Sequence, residues 1–282
     1  MERMQQALER AKAARREASG AVRRKKVAQP VESAANAAAD RGAVPTQAIE
    51  AALGRARSVS VAQEQLERSR LVAHRARDAH ADVYRMLRTQ VLRRLSHEQT
   101  AIGVTSPQAG EGKTLTACNL ALAMARESAR AVVLVDLDLR HPSVHEAFGF
   151  TPVAGIGDYL SGRADFSDCV VDPGIGGLRI ACGRVPCEDS SELIAGARMH
   201  ELAAQLCQPA AGRIVIYDLP PVLAADDAVV FAPQLDGMLV LVREGFTTRE
   251  ALERALELLG DTPLLGTVLN GCSEAELKSY YY

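Results

Sequence analysis

The stretch from Ala101 to Glu127 constrains this chain more than any other. Ala101-Ile-Gly-Val104 is an apolar run of strand character. Thr105-Ser-Pro-Gln-Ala-Gly-Glu-Gly-Lys-Thr114 is a glycine-bearing loop, and Leu115 to about Glu127 has helical spacing. A strand feeding such a loop and then a helix aims backbone N–H groups and the positive helix end at one point, which suits phosphate. In the GxxxxGK[ST] pattern the lysine, here Lys113, neutralises the outer phosphates of a nucleoside triphosphate, and the Thr114 hydroxyl reaches Mg²⁺. Gly110, Glu111, Gly112, Lys113, Thr114 and Leu115 are the expected ATP contacts. Pro107 occupies the place of the first glycine and has no N–H to offer, so the loop is a variant.

Two further apolar runs end in acid. Ala131-Val-Val-Leu-Val-Asp136 reads as a buried parallel strand and continues as Asp136-Leu-Asp138-Leu-Arg140, and Arg213-Ile-Val-Ile-Tyr217 closes on Asp218-Leu-Pro-Pro221. Ligands of open α/β sheets bind at the carboxyl ends of the strands, so Asp136, Asp138 and Asp218 are candidates for metal and proton chemistry. Strands at 178–182, 237–242 and 264–269 alternate with helices at 143–148, 191–206 and 248–259. That order predicts an α/β fold: a P-loop domain with a mostly parallel central sheet and helices on both faces.

Before residue 99 the character changes. Residues 1–80 hold 16 Lys/Arg against 9 Asp/Glu, and the remainder 17 against 26, so a basic N-terminal part precedes an acidic domain. Residues 1–60 lack large apolar side chains in number and carry no aromatic residue. They read as a basic arm, disordered or partly helical, with Met1, Met4, Leu8 and Ala11 on one side of a marginal helix. Arg23-Arg-Lys-Lys26 reads as a solvated run before it reads as a contact for anionic lipid, nucleic acid or an acidic partner. Residues 61–98 form a helical lead-in. There Val83, Leu87, Val91 and Leu95 recur at helical spacing beside a stripe of Asp82, Arg85 and Arg88, which suits either solvent or a copy of itself. Residues 99–272 make the P-loop domain, and 273–282 a tail. Of six tyrosines, three are Tyr280, Tyr281 and Tyr282, placed where a reactive or recognised tail belongs. The six cysteines show no CxxC pair and read as reduced thiols. No apolar run approaches the roughly 20 residues that span a bilayer, and Met1-Glu-Arg-Met-Gln is no signal core, so a cytoplasmic protein is expected.

With these motifs in place, residues 80–282 resemble the cytoplasmic catalytic domain of the bacterial tyrosine kinases, P-loop autokinases of capsule and exopolysaccharide assembly. The family loop TSxxPGEGKT is matched except that Ala109 replaces proline. Its DxDxR motif is matched by Asp136, Asp138, Arg140 and Pro142, and DxPPV by Asp218, Pro220, Pro221 and Val222, with Asp227-Ala228 downstream. Its ExxRxxR assembly helix is matched by Asp82, Arg85 and Arg88, with aspartate one methylene shorter than glutamate. In its NPxELL segment, Asp189-Ser190 replaces Asn-Pro.

The resemblance implies ATP and Mg²⁺ as cofactors, with Thr114, Asp138 and Asp218 around the metal, and Lys113, Asp136, Asp138 and Asp218 as the catalytic set. It implies that Tyr280, Tyr281 and Tyr282 are phosphorylated in trans within a ring-like homo-oligomer held through Asp82, Arg85 and Arg88. A separate integral membrane protein of polysaccharide chain-length control is implied as activator, recruiting the chain to the inner face of the membrane, together with a cognate tyrosine phosphatase; no nucleic acid is expected. The alternative is a Min/Par-type positioning ATPase, a dimerising switch on membrane or DNA. Those proteins carry a second loop lysine where this chain has Gln108, and they lack a terminal tyrosine cluster.

Overall fold

The computed structural model describes residues 46–96, 98–127, 130–208 and 212–272. The basic cluster at 23–26 and the tyrosines at 280–282 lie outside the described residues.

Eight strands form one sheet in the order β1 (Arg57–Ser58), β4 (Val170–Asp172), β5 (Leu178–Ala181), β3 (Val132–Asp136), β6 (Ile214–Asp218), β2 (Ala101–Thr105), β7 (Gly237–Arg243), β8 (Leu264–Asn270). Every neighbouring pair is parallel except β4 with β5. The three central strands β3, β6 and β2 are buried along their whole length, as strands covered on both faces must be. Their side chains divide by period two. Val133, Val135, Val215 and Tyr217 point into one core layer, and Val132, Leu134, Ile214 and Ile216 into the other.

The second layer is filled by the helix that leaves the glycine loop, α4 (Lys113–Glu127), and by α3 (Ala79–Arg94) lying on it. Asp78 caps α3, its Oδ1 accepting from the N–H groups of His80 and Ala81. Of the expected apolar stripe on this helix, only Val91 is fully buried. Leu87 and Leu95 pack at the margin, and Val83 is 41% exposed. On the opposite face, α11 (Arg249–Leu259) is capped by the Thr248 hydroxyl and buries Ala251, Ala255 and Leu259, four residues apart along one side.

Two expectations are corrected. The arm does not extend to residue 60: α1 (Thr46–Gly54) buries Ile49, Ala52 and Leu53 in the domain core, and β1 adds an edge strand through Arg57 and Ser58. Three apolar side chains, too few for a core of their own, suffice when a core already exists. The helix expected over 191–206 is broken at Gly196, whose extended backbone (φ −70°, ψ 155°) separates α8 (Ser190–Ala195) from α9 (Ala197–Leu206). Cys118, Cys169 and Cys182 are buried thiols, whereas Cys187, Cys207 and Cys272 are partly exposed.

Candidate active site

The loop after β2 takes its shape from two glycines in left-handed backbone, Gly110 (φ +80°) and Gly112 (φ +91°). At Gly112 two things favour glycine, the φ itself and the room: a Cβ there would lie 2.1 Å from Asn270 Nδ2 and displace that amide. Around them the loop is bolted from several sides. Glu111, fully buried, accepts from the Gln108 N–H at 2.8 Å and from the Thr247 hydroxyl. Asn270 donates to the Glu111 carbonyl at 2.9 Å, and Arg243 to that of Gly110 at 3.1 Å. Pro107 contributes its carbonyl, which receives the Leu223 N–H at 3.1 Å, while Ser106 receives that of Val222 at 2.9 Å. The segment after Asp218 is thereby tied to the loop before Lys113.

Three carboxylates converge on Lys113. Its Nζ lies 2.5 Å from Asp138 Oδ2, and both side chains are largely buried. Burial opposes the ammonium charge, yet Asp218, Asp138 and Asp136 together hold Lys113 above the ordinary lysine value. Asp136 and Asp218 end neighbouring strands at the same register position, so they face the same side of the sheet at about the 4.8 Å spacing of adjacent strands. Burial first, and Asp218 second, push Asp136 up to about 8. Burial also raises Asp218, with Lys113 opposing.

Hydrogen bonding distinguishes these acids. Asp136 Oδ2 accepts from the N–H groups of Ser143 and Val144, both at 3.1 Å, and Asp138 Oδ1 from that of His141 at 3.1 Å. Asp136 Oδ1 is buried without a hydrogen-bond partner, and the Asp218 oxygens have none beyond a contact with the Thr114 hydroxyl, which favours their charged form. Buried carboxylate oxygens in that condition are costly unless a cation completes them, which is the donor set a hard divalent ion takes. Thr114 borders the same space, its hydroxyl 3.4 Å from both Lys113 Nζ and Ser143 Oγ. Close packing completes the wall: a Cβ at Gly183 would meet Pro142 Cβ at 2.3 Å and Asp136 Oδ2 at 3.3 Å.

The geometry thus brings Lys113, Thr114, Asp136, Asp138 and Asp218 to one point. Leu115 stands at the edge, lining a cavity of about 490 Å³ with Val72, Tyr84, Leu269 and Asn270. Arg140 turns away from the phosphate loop and donates from Nε to the Ser190 hydroxyl at 3.0 Å. Asp82, Arg85 and Arg88 are elsewhere, on α3. Arg85 pairs with Asp82 and donates to the carbonyls of Arg75 and, at 2.9 Å, Ala76; Arg88 donates to the Ala123 carbonyl of α4 at 3.1 Å. Sequence reasoning missed Asn270, Thr247 and Arg243. Asn270 carries a signal, since it too ends an apolar parallel strand, although an amide there does not point to metal chemistry as an acid does.

No family model matches the chain. It is 30% identical over 221 residues to the tyrosine-protein kinase YwqD of Bacillus subtilis, an alignment covering 77% of this chain and 92% of that one. Among solved structures it is similar to the kinase domain of VpsO, at 27% identity and a TM-score of 0.62, over 69% of this chain and 95% of that one. The septum site-determining protein MinD of Pyrococcus horikoshii, solved with Mg-ADP, shares the architecture at 23% identity and a TM-score of 0.51, over 61% and 71%. Among the described residues no helix is long and apolar enough to cross a membrane.

Proposed function

The chain belongs to the bacterial tyrosine-protein kinases, and from that premise we propose that it moves the γ-phosphoryl group of ATP onto Tyr280, Tyr281 and Tyr282 of a neighbouring copy, as a regulator of capsule or exopolysaccharide synthesis and export. The observation that carries this reading is the convergence of one buried ammonium group and three aspartates at the mouth of a glycine loop.

Phosphoryl transfer asks mostly for positioning and charge neutralisation. The backbone of Gly110–Thr114 and the start of α4 hold the phosphates, and the cavity beside Leu115 and Asn270 receives the nucleoside. Lys113 exchanges Asp138 for phosphate oxygen when ATP enters. Thr114, Asp138 and Asp218 would hold Mg²⁺, which when bound neutralises charge on the phosphates. Asp136 accepts the phenol proton. A tyrosine hydroxyl of pKa about 10 needs such a base; burial and Asp218 raise Asp136 to about 8 in the ligand-free protein, so it serves as acceptor in its ionised form, which positive charge entering the site would favour.

Assembly in this reading goes through Asp82, Arg85 and Arg88. These side chains also brace their own subunit, so α3 is presented as a rigid face. Residues 273–282, about 35 Å when fully extended, reach from one subunit into the next. An integral membrane partner of polysaccharide chain-length control recruits and activates the chain, and a tyrosine phosphatase reverses the modification. The Min/Par reading shares the fold but not the tyrosine tail, and at Gln108 this chain lacks the second loop lysine.

Incubating the purified protein with Mg-ATP and mapping phosphate on the C-terminal peptide, with Lys113→Met as control, tests the assignment. Phosphotyrosine at residues 280–282 is expected. Release of inorganic phosphate alone, stimulated by lipid or DNA, would instead favour the positioning ATPase.

A further inference from the structure

Arg140 lies two residues beyond Asp138 and its side chain leaves the phosphate loop for a polar cluster on the far wall of the site. Its Nε donates to Ser190 Oγ at 3.0 Å, its Nη2 to Ser191 Oγ at 3.4 Å, and the same Nη2 stands 3.6 Å from Asp227 Oδ1. Ser190 and Asp227 are both fully buried. Ser191 Oγ lies 2.5 Å from Asp227 Oδ1 and 2.5 Å from Asp226 Oδ1. One hydroxyl proton cannot serve two carboxylates at once, so the cluster depends on Arg140 for further donors and for positive charge. Asp227 Oδ2 has no hydrogen-bond partner. A carboxyl group kept buried and half-satisfied is costly, and Arg140 is the cationic neighbour it has.

What Arg140 anchors is the turn from Asp138 to His141. The His141 N–H bonds both the carbonyl (3.1 Å) and the Oδ1 (3.1 Å) of Asp138, so the orientation of that carboxylate depends on the turn. A second contact closes the same wall, the Cys187 N–H on the Leu139 carbonyl at 2.8 Å. The other oxygen of Asp138 faces Lys113. A chain of direct contacts thus runs from Asp227 through Arg140 and the turn to Asp138.

We propose that Asp227 is a positioning residue for phosphoryl transfer, acting through Arg140 to fix the Asp138–His141 turn and the direction of the Asp138 carboxylate, with Ser190 as an auxiliary anchor. This rests on the kinase reading above. The contacts of Asp227 are with Ser191 and Arg140. Its removal leaves Lys113, Thr114 and the glycine loop in place, so ATP binding survives while the chemical step slows.

Full-length wild type, Asp227→Asn, Arg140→Lys, the double variant and Ser190→Ala are compared for tail phosphorylation as a function of ATP concentration, alongside thermal melts and binding of a fluorescent ATP analogue. Asp227→Asn is expected to lower kcat about tenfold or more with KM for ATP within about twofold, because small misplacement of a reacting group is expensive. Since Asp227 acts only through Arg140, the double variant should be no slower than the worse single one. Ser190→Ala, which leaves the buried charges paired, should lower kcat about two- to threefold and serves if Asp227→Asn fails to fold. Multiplying losses in the double variant, a KM effect without a kcat effect, or an unchanged kcat in both Asp227→Asn and Ser190→Ala would each overturn the proposal. A wild type that never labels its tail would instead sink the kinase reading, a result visible before any variant is made.

Discussion

Asp136 and Asp218 stand opposite one another in the parallel register of β3 and β6, two carboxyl groups at one level of the sheet and both wholly shielded from solvent. They cannot both be charged cheaply. The Val144 N–H and Lys113 favour the charged form of Asp136, and Lys113 and the Thr114 hydroxyl that of Asp218, but Asp138 adds to the repulsion, and the nearby thiols of Cys118 and Cys182 are themselves kept protonated by burial.

A stability profile follows from this pair. Asp136 is raised from 3.8 to about 8, so between those values the folded protein retains a proton that the unfolded chain has released. Stability of the ligand-free protein therefore decreases as pH rises through that window, and levels off above it. Thermal melts from pH 5 to pH 8.5 should show Tm falling by a few degrees on this account. Asp136→Asn removes the titration and should flatten the profile. A Tm that climbs steadily with pH in the wild type would show that the carboxyl is ionised throughout.

Gly112 and Asn270 give a paired prediction. Gly112→Ala places a methyl group 2.1 Å from Asn270 Nδ2 and demands φ +91°, so the loop loses its shape. A cost of about 2 kcal/mol is expected from the backbone strain alone, with nucleotide binding abolished. Asn270→Ala removes the clash but also the hydrogen bond to the Glu111 carbonyl. The double variant should regain part of the stability and none of the nucleotide affinity, measured by denaturant melts and by titration with a fluorescent ATP analogue. Full recovery of affinity would mean that the conformation at Gly112 is unimportant.

The pieces of this site differed in how plainly they showed in the sequence, for physical reasons. A buried parallel strand is apolar at every position, so the runs ending in Asp136 and Asp218 announced both the sheet and its acidic ends. The loop from Pro107 to Thr114 was legible because few residue types tolerate left-handed backbone next to phosphate. By contrast β1, two residues long, and β4, three, are too short to show any period. Helix α1 escaped because only Ile49, Ala52 and Leu53 need be apolar when the partner surface is already built. The break at Gly196 was hidden by apolar residues that continue in helical register on both sides of it. Asn270, Thr247 and Arg243 reach the loop from 133 to 159 positions away, a distance at which sequence pattern says nothing about contact.

Assembly through α3 carries its own expectation. Arg85 holds the carbonyls of Arg75 and Ala76, and Arg88 that of Ala123, so truncating either loosens the packing of α3 on its own subunit as well as any contact with a second. Asp82 is the more discriminating target, since its side chain is mostly exposed and pairs with Arg85. Asp82→Ala should leave Tm within about 1 °C, an exposed pair contributing little. Native mass spectrometry should nonetheless show loss of the higher oligomer. An unchanged assembly would remove this helix from the interface.

Lys113→Met separates two duties of one side chain. As the phosphate ligand it should be worth about a hundredfold or more in tail phosphorylation, the scale on which a transition-state donor counts. As the counter-charge in the ligand-free state it holds down the proton affinity of Asp136 and Asp218. Removing it should raise both further, so the interval over which stability falls extends to higher pH than in the wild type. The sign is fixed by the charge removed: without the ammonium group, each carboxylate gives up its proton later. Melts of the variant between pH 7 and pH 9.5 should still be falling where the wild type has levelled off. Superimposable profiles, together with lost activity, would show that Lys113 serves the nucleotide alone and does not hold down the proton affinity of Asp136 and Asp218.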